Sequence, residues 1–247
     1  MVKGLEIFRK YFSEYVDQYV LIGGAACDIV FESNNTSFRA TRDLDMVLIV
    51  EALTPEFGAH FWHFINEGKY RNRSINSEKA QFYRFDKPEN ELFPKMIELF
   101  SRVDFELKEM NGLAPIHIDD GVSSLSAILL DDDYYKALLN GKIVKDGLSV
   151  LRPEYLILFK AKAYMDLKER KESGEPVDSS DIKKHKKDVL RIAVEIVLEE
   201  VSDLSVSLKN DIYRFINSLE KDSFDANLLK DYGVNNQDVI DLLKRVF

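Results

Sequence analysis

YVLIGGAACDIVFESNNTSFRATRDLDMVLIV, residues 19–50, opens and closes with an apolar run, and two aspartates stand at the start of the second run. Successive side chains of a strand point to opposite faces, so Asp43 and Asp45 share one face of the strand that this run predicts. Two carboxylates this close repel each other unless a cation or a shared proton compensates them. The stretch therefore predicts either a basic partner, for which Arg39 and Arg42 are near in sequence, or a metal ion.

Two adjacent glycines, Gly23 and Gly24, follow the first apolar run and precede the helix that AACDIVFE predicts. Glycines between a strand and a helix permit a tight turn and leave the backbone N–H groups of the helix N-terminus open to an anion. A simple strand-to-helix turn uses the same residues, so the glycines alone do not distinguish the two interpretations. The aspartates at the start of the very next strand favour the anion-binding turn.

A third carboxylate is predicted on a later strand. The segments KAQFYRF (79–85) and KMIELFS (95–101) have the composition of paired strands. Glu98 interrupts the second of them between apolar neighbours, where an unpaired charge is costly. Asp104 and Glu106 are alternatives, but their segment is more charged and is typical of an exposed edge. Three such carboxylates would form an oxygen site for Mg²⁺, the cation that bridges substrate phosphates.

The composition is that of a globular protein without a membrane span. The chain has 247 residues, 45% of them hydrophobic, and no apolar run approaches the length that crosses a bilayer. Its formal net charge of −9 argues against broad non-specific binding of DNA. A single cysteine, Cys27, and an N-terminus without a signal-peptide pattern predict a cytoplasmic protein with no membrane partner.

The pattern of the chain changes about halfway along. Predicted strands and helices alternate over residues 1–122, which indicates an α/β domain. Residues 123–247 are predicted to be mainly helical, apart from a short extended return over KIVKDGLSVL. Pro153 begins one long helix there, and Asp178 or Ser179 caps the next. The predicted fold class is α+β with an all-helical C-terminal half.

The order Gly-Gly, helix, Asp-x-Asp resembles the nucleotidyltransferase superfamily that includes DNA polymerase β. Two later segments narrow the resemblance: LRPEYLILFKAKAYMDLKER (151–170) and IKKHKKDVLRI (182–192). They are similar to the Lys-x-x-Ala helix and the basic–aspartate helix of the AbiEii/AbiGii family, nucleotidyltransferase-like toxins of bacterial abortive-infection and type IV toxin–antitoxin systems. The resemblance covers about residues 18–195 and implies a polymerase β-like nucleotidyltransferase core, with a mixed sheet flanked by helices.

The resemblance also implies roles for residues of the N-terminal half. Gly23 and Gly24 would hold the triphosphate of a nucleotide. Asp43, Asp45 and Glu98 would hold two Mg²⁺ ions, and Glu98 would activate the acceptor hydroxyl through one of them. The chain departs from the family in the longer span between the glycines and the aspartates, and in a glutamate where many members have an aspartate.

In the C-terminal half, the resemblance assigns Lys160 and Asp188 to the catalytic set. Lys160 matches the lysine of Lys-x-x-Ala and would contact the nucleotide phosphates from the helical half. Asp188 matches the later aspartate, and Lys184 lies one helical turn before it on the predicted nucleotide-binding side. Because Lys160 stands among apolar residues, its ammonium needs a counter-charge, either a phosphate or Asp188.

The sequence and the resemblance together predict an Mg²⁺-dependent enzyme that transfers a nucleoside monophosphate from a nucleoside triphosphate to an acceptor hydroxyl. A tRNA 3′ end or a protein is the acceptor that the toxin family implies, and a cognate antitoxin is the implied partner. Two alternatives stay open. One is a nucleotidyltransferase for small molecules of the antibiotic type, and the other is a catalytically silent module that binds nucleotide or protein, because a fold does not decide function.

Overall fold

The computed structural model describes residues 2–77, 80–101, 115–116, 128–129 and 131–247. The chain divides into two compact units. The first contains Met1–Ser126 with Lys142–Leu151, and the second contains Ala127–Gly141 with Arg152–Phe247. The alternative carboxylates Asp104 and Glu106 lie outside the described residues.

The first unit is built on an eight-stranded sheet with the strand order β6-β3-β4-β5-β2-β1-β8-β7. β2 runs antiparallel to β1 and parallel to β5, and β5 runs antiparallel to β4. The sheet is therefore mixed and the fold is α+β, as the sequence predicted. The strands are β1 (Tyr19–Ile22), β2 (Asp43–Leu48), β3 (Arg71–Ser77), β4 (Ala80–Asp86), β5 (Met96–Ser101), β6 (Pro115–Ile116), β7 (Lys142–Lys145) and β8 (Leu148–Leu151).

Helices α1 (Leu5–Phe12) and α3 (Pro55–Gly68) bring a cluster of aromatic side chains to the sheet. Thr54 caps α3 by accepting a hydrogen bond from a backbone N–H of its first turn, and a proline takes the first helical position, where no N–H is needed. Phe61 of α3 lies edge-on to Phe85 of β4, with 5.5 Å between the ring centroids. This packing covers the face of β4 opposite to its charged residues.

Helix α2 (Gly23–Ser33) follows β1 directly and is buried over most of its length. Cys27 lies within it as a buried free thiol. The helix packs on β1 and β2, so its first residues lie beside the start of the strand that carries the two aspartates. Within the described residues, no helix is both long enough and apolar enough to span a bilayer.

The described helices of the second unit include the two long ones that the sequence predicts. Asp178 caps the second of these through its side chain. An Asn235–Asp238 capping box begins the last helix. These helices are α4 (Asp132–Asn140), α5 (Pro153–Glu172), α6 (Ser179–Glu195), α7 (Val206–Ser218), α8 (Ala226–Asp231) and α9 (Asn236–Val246).

The structure differs from the sequence-based expectation at three places. The strand β3 has the sequence RNRSINS, whose polar composition does not predict a strand. Helix α6 ends at Glu195, about one turn before the predicted end near Glu200. The hairpin β7–β8 belongs to the first unit, because β8 pairs with β1 at the register of Leu21 and Val150. The expected boundary between residues 122 and 123 stays a prediction, but the residues after it are not all in the helical unit.

Candidate functional site

One face of the central strands carries a row of polar residues. Asp45 of β2 is in register with Glu98 of β5, and Glu98 is in register with Arg84 of β4. On its other side, Asp45 is in register with Ile22, the last residue of β1 before the glycines. Because registered neighbours point to the same face of a sheet, the carboxylates of Asp45 and Glu98 start from adjacent positions about 4.8 Å apart.

A second row lies one step further along the same face. Asp43 is in register with Met96, and Met96 is in register with Asp86 of β4. In the opposite direction along the strands this face becomes apolar, since Val47 and Phe100 are registered neighbours and both are buried. The charged residues are therefore confined to the end of the sheet at which β2 begins and β1 ends.

Gly23 brings the start of α2 against Asp45. Its φ of +65° lies in the left-handed region that favours glycine, and a Cβ there would stand 1.9 Å from Oδ2 of Asp45. Ile22, the residue before the helix, gives no side-chain hydrogen bond to the N-terminal N–H groups. The N-terminus of α2, which carries the positive end of the helix dipole, thus adjoins a carboxylate at close range.

Gly24 has a similar close neighbour that the sequence did not predict. A Cβ at Gly24 would stand 2.6 Å from Oγ1 of Thr41, which precedes β2. The segment between α2 and β2, which is longer than in the family that the sequence resembles, therefore passes beside the glycine turn before β2 begins. The only sequence signal for Thr41 is its place two residues before Asp43, which is too weak to predict this contact.

Arg84 is a charged member of the site that sequence analysis missed. Its Nε donates a hydrogen bond of 2.9 Å to Oε1 of Glu98, and its Nη2 donates one of 2.6 Å to the same oxygen. The Glu98 side chain is 15% exposed and that of Arg84 is 31% exposed, so the pair is shielded but solvent reaches it. The sequence signal for Arg84 was a lone arginine within the aromatic segment QFYRF. Its pairing with Glu98 depends on the register of β4 and β5, which the sequence did not predict.

The expected convergence of three carboxylates around one point is not present in this structure. Asp43, Asp45 and Glu98 are all described, yet no group of three His, Cys, Asp or Glu side chains among the described residues is arranged to hold a metal ion. In the same structure, Oε1 of Glu98 accepts both hydrogen bonds from Arg84. The strand register still places Glu98 next to Asp45, so the roles of the three residues as metal ligands stay predictions.

The residues predicted in the helical half lie in the second unit. Lys160 of α5 donates a hydrogen bond of 2.8 Å to Oδ2 of Asp188 on α6. The Lys160 side chain is 6% exposed and the Asp188 side chain is fully buried. Lys184, one turn before Asp188, is exposed on α6. Asp188 is thus the counter-charge of Lys160 in this structure, and contact of either lysine with a nucleotide stays a prediction.

No protein-family model matches the sequence, and no curated protein matches it significantly. Among solved structures, the chain is similar to an antigenic nucleotidyltransferase-like protein from Paracoccidioides brasiliensis, with 12% identity, a TM-score of 0.43 and 96% of each chain covered. It is also similar to the Megavirus polyadenylate synthase, with 10% identity, a TM-score of 0.39, and coverage of 88% of this chain and 36% of that one. At these identities and scores, neither likeness assigns a function to this chain.

Proposed function

We propose that this protein is an Mg²⁺-dependent nucleotidyltransferase that transfers a nucleoside monophosphate from a nucleoside triphosphate to an acceptor hydroxyl. One observation carries the proposal. The glycine turn at the start of α2 touches Asp45, and Asp45 has Glu98 as its registered neighbour on β5. A helix N-terminus and a group of carboxylates thus lie side by side, and this arrangement supports the binding of a metal–triphosphate complex.

The donor chemistry of the sheet end fits Mg²⁺. Asp43, Asp45 and Glu98 offer only carboxylate oxygens, the ligands that this hard cation prefers, and the first two share a face of β2. Bound there, the metal would lower the pKa of the acceptor hydroxyl and neutralise charge on the transferring phosphoryl group. Recruitment of Glu98 requires its carboxylate to turn from Arg84 towards the aspartates.

In the proposed reaction, the N–H groups at Gly23 and Gly24 hold the triphosphate so that its α-phosphorus faces the acceptor. The acceptor oxygen attacks the α-phosphorus in line, and the bond from that phosphorus to the bridging oxygen of the leaving group breaks. Pyrophosphate leaves with the electron pair of that bond. The hydroxyl proton passes to Glu98 or to solvent.

The finer assignment concerns the acceptor. The resemblance of 151–170 and 182–192 to the AbiEii/AbiGii toxins supports a toxin component of an abortive-infection or type IV toxin–antitoxin system, with a cognate antitoxin as partner. The acceptor in that case is a tRNA 3′ end or a protein. An acceptor of the small antibiotic type would fit the same transfer chemistry.

Label transfer tests the proposal. Purified protein is incubated with each α-³²P-labelled nucleoside triphosphate, Mg²⁺, and in turn total tRNA, a protein lysate and aminoglycosides. Wild type should label one of these acceptors, and Asp45→Asn should reduce the rate by at least about a hundredfold, since loss of one charged contact in a transition state costs about 2.7–4 kcal/mol. Glu51→Gln, a charge change at an exposed residue after β2, is the matched control and should retain activity.

A second candidate follows from the Arg84–Glu98 pair. If the pair is permanent, the site keeps two aspartates and lacks a third ligand, so it would bind nucleotide without transferring it. Calorimetry separates the two functions. Mg²⁺-dependent binding of a nucleoside triphosphate without label transfer to any acceptor would support the silent module. If the protein neither binds the nucleotide nor transfers label, the proposed nucleotide site is wrong.

A further inference from the structure

Glu98 stands between an acidic and a basic neighbour in one row of the sheet. Asp45 is its registered neighbour on β2, and Arg84 is its registered neighbour on β4. Like charges placed directly opposite each other on adjacent strands are destabilising, while opposite charges in the same arrangement attract. The Arg84 guanidinium therefore offsets part of the repulsion that the Glu98 carboxylate meets beside Asp45.

The hydrogen bonds between Arg84 and Glu98 involve only one of the two carboxylate oxygens. Nε and Nη2 of Arg84 both donate to Oε1 of Glu98, so neither of these two hydrogen bonds involves Oε2. An arginine that bound both carboxylate oxygens in the two-pronged manner would hold the whole group. Here one oxygen is doubly bound and the other is outside the pair, and Glu98 remains accessible at 15% exposure. The arrangement fixes the side chain without closing it to a cation.

We propose that Arg84 is a positioning residue that holds Glu98 beside Asp45 in the metal-free protein, and that it competes with the metal ion for the Glu98 carboxylate. This inference rests on the proposed function, which makes Glu98 a metal ligand. Arg84 weakens metal binding by adding a positive charge next to the site, and it keeps Glu98 in the row from which it can turn to the metal. An ion pair with a purely structural role would affect folding stability and leave metal affinity unchanged.

Mn²⁺ binding to the full chain, measured by the loss of the free-ion signal in electron paramagnetic resonance, tests this inference without any need for activity. Arg84→Met removes the charge and keeps most of the stem, and we expect it to bind Mn²⁺ on the order of tenfold more tightly than wild type. Arg84→Lys keeps the charge and should stay within about threefold of wild type. Arg84→Gln, with a polar side chain, should behave as Arg84→Met does and serves if that variant does not fold.

Two further variants make the test specific to Glu98. Arg71→Met makes the same change of charge at an exposed residue whose register partner is Asp86, and it should change Mn²⁺ affinity by less than about twofold because solvent screens it. In a Glu98→Gln background, Arg84→Met should tighten binding much less than it does in wild type, since the carboxylate for which arginine and metal compete is gone and only the loss of a nearby positive charge remains.

Each result of the Mn²⁺ titrations either supports or overturns the inference about Arg84. Unchanged or weaker Mn²⁺ binding by Arg84→Met and Arg84→Gln would overturn the inference while leaving the metal site of the proposed function in place. Equal tightening by Arg71→Met would reduce the effect to net charge and would also overturn it. If neither wild type nor any Arg84 variant binds Mn²⁺ at millimolar concentration, the metal site fails, and with it both the proposed function and this inference.

Discussion

Two charged groups of this protein contrast in their access to solvent. Lys160 and Asp188 form a pair on α5 and α6 that is almost fully buried, with exposed fractions of 6% and 0%. Glu98 and Arg84 form a pair on the sheet that solvent reaches, with exposed fractions of 15% and 31%. Both pairs have short hydrogen bonds, so hydrogen-bond geometry alone does not distinguish them.

The contrast indicates which pair is suited to exchange partners. A buried ion pair has lost its water, and separating it leaves a charge without compensation in a low-dielectric interior. A solvent-accessible pair can release one partner to a cation, because water and the incoming ion compensate the charge during the exchange. Lys160 and Asp188 are therefore held primarily by folding, whereas Glu98 and Arg84 are placed where a ligand can compete.

The largest expected effect is a loss of unfolding free energy when the buried pair of Lys160 and Asp188 is broken. Lys160→Met leaves Asp188 buried without its ammonium, so we expect the free energy of unfolding to fall by about 3–5 kcal/mol in urea titrations. A Lys160→Met, Asp188→Leu double variant should recover most of this loss. Lys162→Met is the control on the same helix, since its side chain is 23% exposed and should cost about 1 kcal/mol or less. Equal losses for the two lysines would contradict the contrast between buried and accessible pairs.

The next effect concerns Mg²⁺ and the accessible group. A ligand that binds only the folded state stabilises it, by about 2.7 kcal/mol at a hundredfold excess over its Kd. We expect Mg²⁺ to raise the Tm of wild type in thermal melts. Asp43→Asn, Asp45→Asn should abolish the rise, because the two side chains that would hold the ion lose their charge. A metal-free double variant that is markedly less stable would instead indicate structural ion pairs at the aspartates.

A smaller effect is expected at the glycine turn, where two glycines with positive φ can be compared. Gly174 has φ +91° and nothing within 4 Å of the position that a Cβ would take, so Gly174→Ala adds only backbone strain of about 1–2 kcal/mol. Gly23→Ala adds similar strain and must also displace the Asp45 carboxylate. We therefore expect a larger loss of unfolding free energy for Gly23→Ala than for Gly174→Ala, and loss of the Mg²⁺-induced Tm shift only for Gly23→Ala. A normal Mg²⁺-induced rise in the Tm of Gly23→Ala would show that the glycine turn is not part of the metal site.

The smallest effect is expected at Asp222, which lies between the second unit's long helices and its C-terminal helices. Burial raises the pKa of Asp222, but hydrogen bonds from Lys186, Tyr164 and Lys168 outweigh it and lower the pKa to about 2. A carboxyl whose folded pKa is depressed contributes stability above its unfolded pKa of about 3.9, and this contribution is lost as the pH falls towards 2.

Asp222→Asn should therefore lower the unfolding free energy at pH 7 by less than about 1 kcal/mol, since the side chain is 47% exposed. The difference from wild type should shrink between pH 4 and pH 2 in a series of urea titrations. Asp231→Asn removes a charge from the exposed surface of α8, is the control at pH 7, and should change the unfolding free energy by a few tenths of a kcal/mol at most. A difference that is constant across this range would show that the network does not depend on the carboxylate charge.

Several features of the site followed from local sequence alone. Alternation along a strand is enough to place Asp43 and Asp45 on one face, because that alternation is a property of the backbone. The sequence also predicted the glycine turn between β1 and α2 and the helix cap at Asp178, since turn and cap preferences depend on a few adjacent residues. The mixed sheet was implied by the family resemblance of the motifs, and the order of strands and helices alone predicted only an α/β domain.

Only the tertiary structure showed which charges meet. Arg84 and Glu98 are separated by a loop, and their pairing depends on the register of β4 and β5, in which a shift of one residue would send Arg84 to the other face. The burial of Lys160 depends in the same way on how α5 packs along α6. Local preferences act within a few residues, whereas register and burial are decided by the summed packing of segments distant in sequence, and that is why the sequence predicted the carboxylates but not their counter-ion.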